Sequence, residues 1–166
     1  CNLSSNATMG VNMTPGGTAA DDGDATSLAV YGGEVHLGVH EIPTVTLNGA
    51  GKLYNDSNFT TINQYSGTAY NQVAATITTA NVLGGTFYVN STGTITTLNA
   101  KNAAVIDCRQ DSRSKTITNI NLYGRSTFKD PNGVVAATNG FDLHDANLDD
   151  ITLDLAPNKT WTQSAI

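Results

Sequence analysis

Residues 82–89 read "VLGGTFYV", two glycines inside what is otherwise a strand pattern. Glycine weakens a strand interior, through backbone entropy and the missing side chain, so a pair of them needs a reason. The pattern recurs. "SLAVYGGEVHLGV" turns on Gly32 and Gly33, "VTLNGAGKLY" on Gly49 and Gly51, "INQYSGTAY" on Gly67, and "INLYGRSTF" on Gly124. In "TLNAKNAAVI" Asn102 takes the place, the residue that most readily replaces glycine in left-handed backbone. Centres at 33, 50, 67, 85, 102 and 124 are separated by 17, 17, 18, 17 and 22 residues. Apolar residues bracket them: Val30 and Val35, Leu47 and Leu53, Val82 and Phe87, Leu98 and Ile106, Leu122 and Phe128.

A period of 17–22 residues predicts an all-β fold, a β-solenoid of parallel β-helix type. One coil cannot bury its inward residues alone, whereas stacked coils bury a continuous column. The glycines then fall where the chain bends between strands of one coil, where φ is positive and a Cβ would strike the coil above. Asparagines in equivalent places can form ladders along the axis. The alternative is a β-sandwich, in which turns every 8–12 residues produce comparable glycine spacing. The expected organisation is an extended arm over residues 1–26, solenoid over 27–130, and a C-terminal strand segment or cap over 131–166. In that last segment Ile151, Leu153 and Leu155 alternate with Thr152 and Asp154, as in a half-exposed strand.

Composition agrees. Of 166 residues, 24 are Thr, 18 Asn and 16 Gly, while charged residues make up only 13%. Thr favours strands; Asn and Gly favour turns. The net charge is −6, and the eight Lys and Arg form no patch, which argues against nucleic acid or an anionic membrane as partner. No apolar stretch has the length of a transmembrane helix. Two cysteines, Cys1 and Cys108, allow one disulfide, but unpaired thiols fit better because pairing would tether a terminus. "CNLSSN" at the start reads as a cut chain or as a processed lipoprotein terminus.

Few residues suggest chemistry. His36 and His40 in "EVHLGVHE" would share a strand face but stand about 13 Å apart, too far for one metal. "DDGDAT" at 21–26 opens like a calcium loop and lacks the later ligands. Asp142, Asp145, Asp149, Asp150 and Asp154 cluster near the C-terminus; Asp145, Asp149 and Asp150 are the ones to mutate if the chain cleaves glycosides. Tyr31, Tyr54, Tyr65, Tyr70, Tyr88, Tyr123 and Trp161 could stack on sugars, or could serve as coil-facing or edge packing. Seven N-x-[ST] sequons, at Asn2, Asn6, Asn12, Asn55, Asn58, Asn90 and Asn158, exceed the roughly four expected by chance only modestly. No catalytic residue, cofactor or metal is expected.

The units "VYGGEVHL", "VLGGTFYV" and "NLYGRSTF", with spacers such as "NSTGTITTLNA", resemble in style the β-helical proteins of virion surfaces: phage capsid decoration (cement) proteins, tail spikes and fibres. The likeness covers about 100 residues, Ser27 to Asp130. It implies a structural particle protein that contacts capsid or other virion proteins and forms homo-oligomers, trimers foremost. Two alternatives stand beside it: a carbohydrate-binding or carbohydrate-cleaving β-helix at the cell surface, and a lipid-anchored bacterial adhesin attached through Cys1.

Overall fold

The computed structural model of the chain describes residues 27–38, 41–144, 150–160 and 162, together with the backbone of 2–3 and 8–11. In chain order the strands are β1 (Asn2–Leu3), β2 (Thr8–Val11), β3 (Ser27–Val30), β4 (Glu34–Leu37), β5 (Thr44–Leu47), β6 (Lys52–Asn55), β7 (Phe59–Gln64), β8 (Thr68–Asn71), β9 (Ile77–Val82), β10 (Thr86–Val89), β11 (Thr94–Ala100), β12 (Val105–Asp107), β13 (Lys115–Leu122), β14 (Thr127–Asp130), β15 (Val135–Ala137), β16 (Phe141–Leu143) and β17 (Thr152–Leu155). They alternate between two sheets. The first runs β1-β3-β5-β7-β9-β11-β13-β15, with β16 also on β13; the second runs β2-β4-β6-β8-β10-β12-β14-β17. Neighbouring strands in both orders are parallel, as in β7 with β9 and β8 with β10. The chain is a β-solenoid of about six coils, and the β-sandwich alternative is set aside.

Register repeats the sequence period. In the first sheet Ser27, Thr44, Thr61, Thr79, Thr97 and Asn119 are successive partners, 17, 17, 18, 18 and 22 residues apart. Inward columns form the core. One is Leu28, Val45, Ile62, Ala80, Leu98, Ile120 and Phe141; facing it from the second sheet are Val35, Leu53, Ala69, Phe87, Ile106 and Phe128, all buried. All ten apolar residues that bracket the glycine centres are in this core. Because every apolar column is continuous from rung to rung, each coil is stabilised by its neighbours and by little else.

Two corners join the sheets. The first corner, after each first-sheet strand, holds all six turn centres. Gly33, Gly49, Gly67, Gly85 and Asn102 have positive φ there. At the sixth centre the left-handed residue is Arg125 (φ 62°), beside Gly124. A Cβ on Gly84 would lie 2.5 Å from the Tyr65 carbonyl oxygen one coil away, and one on Gly85 would lie 2.3 Å from that of Gly67. Contact between coils is what requires the glycine pair. The second corner varies in length: 56–58, 72–76, 90–93, 108–114 and 131–134.

Within the segment read as an arm, Asn2–Leu3 and Thr8–Val11 extend the two sheets by pairing with β3 and β4. At the other end β15, β16 and β17 continue the same sheets. Leu153 and Leu155 of β17 share the inward face, and Leu155 and Ile151 pack on the core.

Candidate functional site

One of the two outward register columns of the second sheet runs His36, Tyr54, Tyr70, Tyr88, Asp107, Lys129 and Asp154, with Asp107 buried beneath Arg109. Parallel in-register pairing sets equivalent residues one strand spacing apart, so aromatic rings must stack. His36 on Tyr54, Tyr54 on Tyr70 and Tyr70 on Tyr88 have centroids 4.4, 4.6 and 4.7 Å apart and planes within 10°. This geometry corrects the expectation that these tyrosines offer their faces to sugars. The faces of Tyr54 and Tyr70 are covered by their neighbours, and no ring can be inserted at that spacing. Burial, with the neighbouring Tyr54 and Tyr88, raises the Tyr70 phenol above its ordinary value. His36 closes the stack and contacts Glu34 through Nε2 at 2.8 Å.

Tyr123 is likewise occupied. His144 stacks on it at 4.4 Å, and the Lys101 ammonium stands 3.9 Å from its centroid. Tyr31 and Tyr65, at the first corner, are about half exposed. Trp161 lies outside the described residues.

The first sheet carries a second ladder. Asn81, Asn99 and Asn121 each donate a side-chain N–H to the preceding asparagine, at 2.9 Å to Asn63, 2.8 Å to Asn81 and 2.7 Å to Asn99. Inside the solenoid Asn55 donates to Asn71 at 2.9 Å, and Asn71 to the Ala75 carbonyl at 3.3 Å. Asn55, a sequon residue, is therefore buried and committed to the fold.

Among the described residues the carboxylates do not converge. Asp142 pairs with His144 at 3.1 Å on the outer face of β16. Asp150 is exposed and lines a shallow hollow with Asn102, Ala103, Gly124 and Arg125. Asp154 stands outward on β17, beside Lys129 in register. His40, Asp145, Asp149, Cys1 and the "DDGDAT" run lie outside the described residues. Among the described residues no three His, Cys, Asp or Glu side chains are grouped to hold a metal. Cys108 is a free thiol in the core, and burial pushes its pKa far above the ordinary range, which makes it a poor nucleophile.

The second corner forms a groove of about 530 Å³, lined by Asp56, Gln72, Val73, Asn90 and the 110–113 stretch of the longest loop. That loop is braced from within. Arg113 donates through Nε to both Asp111 oxygens, at 3.1 and 2.8 Å, and through Nη2 to the Asn90 carbonyl at 3.0 Å. The buried Lys115 ammonium donates to the carbonyls of Asp111 and Arg113 at 2.7 and 2.8 Å. Hydrogen bonds from the Arg113 side chain and amide, helped by the Lys115 and Arg113 charges, outweigh burial and hold the Asp111 carboxyl at a pKa of about 2. Nearby, burial pushes the Asp107 carboxyl up and hydrogen bonds from Arg109 more than reverse it. Asn90 donates to Gln110 Oε1 at 3.1 Å, while its own Oδ1 is buried with no partner. Nothing in the motifs signals this groove. The one trace in the sequence is the longest gap between turn centres, from 102 to 124.

Compared with known proteins, the chain matches no family model, no curated protein and no solved structure. The functional reading therefore rests on the geometry above.

Proposed function

We propose that the chain is a structural component of a virus particle, a capsid decoration (cement) protein or surface spike of the kind phages carry, acting through protein–protein contact. The observation that carries this reading is the axial organisation of the surface. The His36–Tyr54–Tyr70–Tyr88 stack ties four successive rungs on one outer face and the Asn63–Asn81–Asn99–Asn121 ladder four on the other. Side chains spent on each other in this way stiffen a rod and leave few groups free for turnover.

The C-terminal rung adds support. Among the described residues β17 is the outermost strand of the second sheet, and Leu153 continues the inward column above Phe128 yet is 39% exposed. An edge strand with an apolar residue open beside it is suited to cover by a neighbouring subunit or shell protein. Repeated copies on a lattice would turn such weak contacts into firm attachment.

Cross-linking mass spectrometry on intact source material tests the proposal. Cross-links from Lys129 or Lys159 to a shell protein, or between copies of this chain, are the expected result. Cross-links confined to membrane or secreted enzymes would contradict it.

A further inference from the structure

We infer that the groove at the second corner binds a neutral saccharide. The inference is independent of the particle reading and survives if the protein never associates with particles.

The groove exists because the repeat is broken there. The second corner takes three residues after β6, five after β8, four after β10 and seven after β12. The seven-residue loop overhangs the shorter corners and makes a wall, spanning four rungs or about 14 Å along the axis. Its size is that of a small-ligand site. The Arg113 and Lys115 hydrogen bonds fix this wall in advance, which lowers the ordering cost of binding.

Two features of the lining stand out. The first is Val73, at the first central position of the Gln72–Ala75 turn, closed by the Ala75 amide on the Gln72 carbonyl at 3.2 Å. Its φ is +57°, a position that turn chemistry gives to glycine and that is strained for a β-branched residue. Its side chain is 56% exposed and packs into no core. The turn is held by the Thr92 amide and hydroxyl of the next coil, which donate to the Val73 carbonyl at 3.0 and 3.2 Å, and this leaves the Val73 side chain to the groove. The second is Asn90 Oδ1, an acceptor buried in the groove wall without a donor.

The lining selects the ligand class. Gln72 presents an amide with donor and acceptor side by side, and Gln110, whose Oε1 accepts from Asn90, keeps its Nε2 donors for a hydroxyl oxygen. Val73 supplies a small apolar surface for C–H groups. The Arg113 guanidinium is committed to Asp111 and to the Asn90 carbonyl, while Asp56 is exposed and has no basic partner within the groove lining. An anion is therefore disfavoured. A hydroxyl-rich, uncharged ligand with an apolar edge fits all of these groups.

The test is saturation-transfer NMR and titration of the whole chain with neutral oligosaccharides of glucose, galactose, mannose and N-acetylglucosamine, with sulfated counterparts in parallel. At least one neutral compound is expected to bind at millimolar concentration or below and better than its sulfated form. Gln72→Ala and Gln110→Ala should each weaken binding about tenfold, the loss of one good hydrogen bond, with an unchanged circular-dichroism spectrum. Val73→Gly should raise the melting temperature and weaken the same binding. Absence of binding across the panel would overturn the inference. So would binding that survives the Gln72→Ala/Gln110→Ala double variant, or binding that is lost instead in Tyr65→Ala at the opposite corner.

Discussion

Gly85 combines a φ of +77° with a carbonyl oxygen 2.3 Å from where its Cβ would be. Neither feature alone forbids alanine, but together they leave it no relaxed position. Gly85→Ala is expected to cost roughly 2 kcal/mol or more, measured by chemical unfolding. The converse holds at Ala103, which has a φ of +67° beside Asn102 at +52°, in a turn closed by the Ala104 amide on the Lys101 carbonyl. Ala103→Gly should stabilise by about 0.5–1 kcal/mol. At this scale the sequence is legible where backbone geometry demands a residue type: the glycines and Asn102 marked the first corner. Val73 and Arg125 were illegible for the same reason, since each is left-handed where its type predicts otherwise.

Each ladder is as strong as its interior members. Asn81 holds hydrogen bonds to Asn63 on one side and Asn99 on the other, whereas Asn63 holds one ladder bond. Asn81→Ala should cost about 1–2 kcal/mol and Asn63→Ala about half as much, because the first leaves groups unpaired in two rungs. Equilibrium unfolding of the two variants side by side checks the ratio. Both ladders are visible in the sequence once the coil length is known: His36, Tyr54, Tyr70 and Tyr88 recur at 18, 16 and 18 residues, and Asn63, Asn81, Asn99 and Asn121 at 18, 18 and 22. The sequence leaves the tyrosines open to sugar stacking or to packing, because it does not show that in-register pairing turns their ring faces toward each other.

The 108–114 loop gives a pH prediction. Asp111 is an acid whose folded pKa, about 2, lies below its ordinary 3.8. The Arg113 brace therefore contributes fully above pH 4 and is lost as pH falls toward 2, in the order expected for a depressed carboxyl. Arg113, raised above its ordinary value by its hydrogen bond to Asp111, stays charged throughout that range, and the Lys115 Nζ lies 3.7 Å from Asp111 Oδ1. Amide hydrogen exchange of residues 110–114 should be unchanged from pH 7 to 5 after correction for intrinsic rates, and should accelerate below 4. In Asp111→Asn the loop should be loose at every pH, with no acid-dependent step.

The molecule as a whole follows from the repeat. Six turn centres were enough to predict the coil length, and the observed register in the first sheet differs from it by at most one residue per coil. The second corner escaped notice because little punctuates it: it has no recurrent glycine, and its length varies to suit each coil. Yet that irregularity builds the groove, so the place where the period fails is where the surface becomes specific. The function proposed here also belongs to this scale, since a stiff rod with an open apolar rung acts through what it is mounted on.

The measurement that bears most directly on it is sedimentation of native source material through a density gradient, with the chain located by quantitative mass spectrometry. Migration with particles, at a fixed copy number relative to the major shell protein, is the predicted result. Recovery in the membrane fraction, or as a free species at the top of the gradient, would contradict the account.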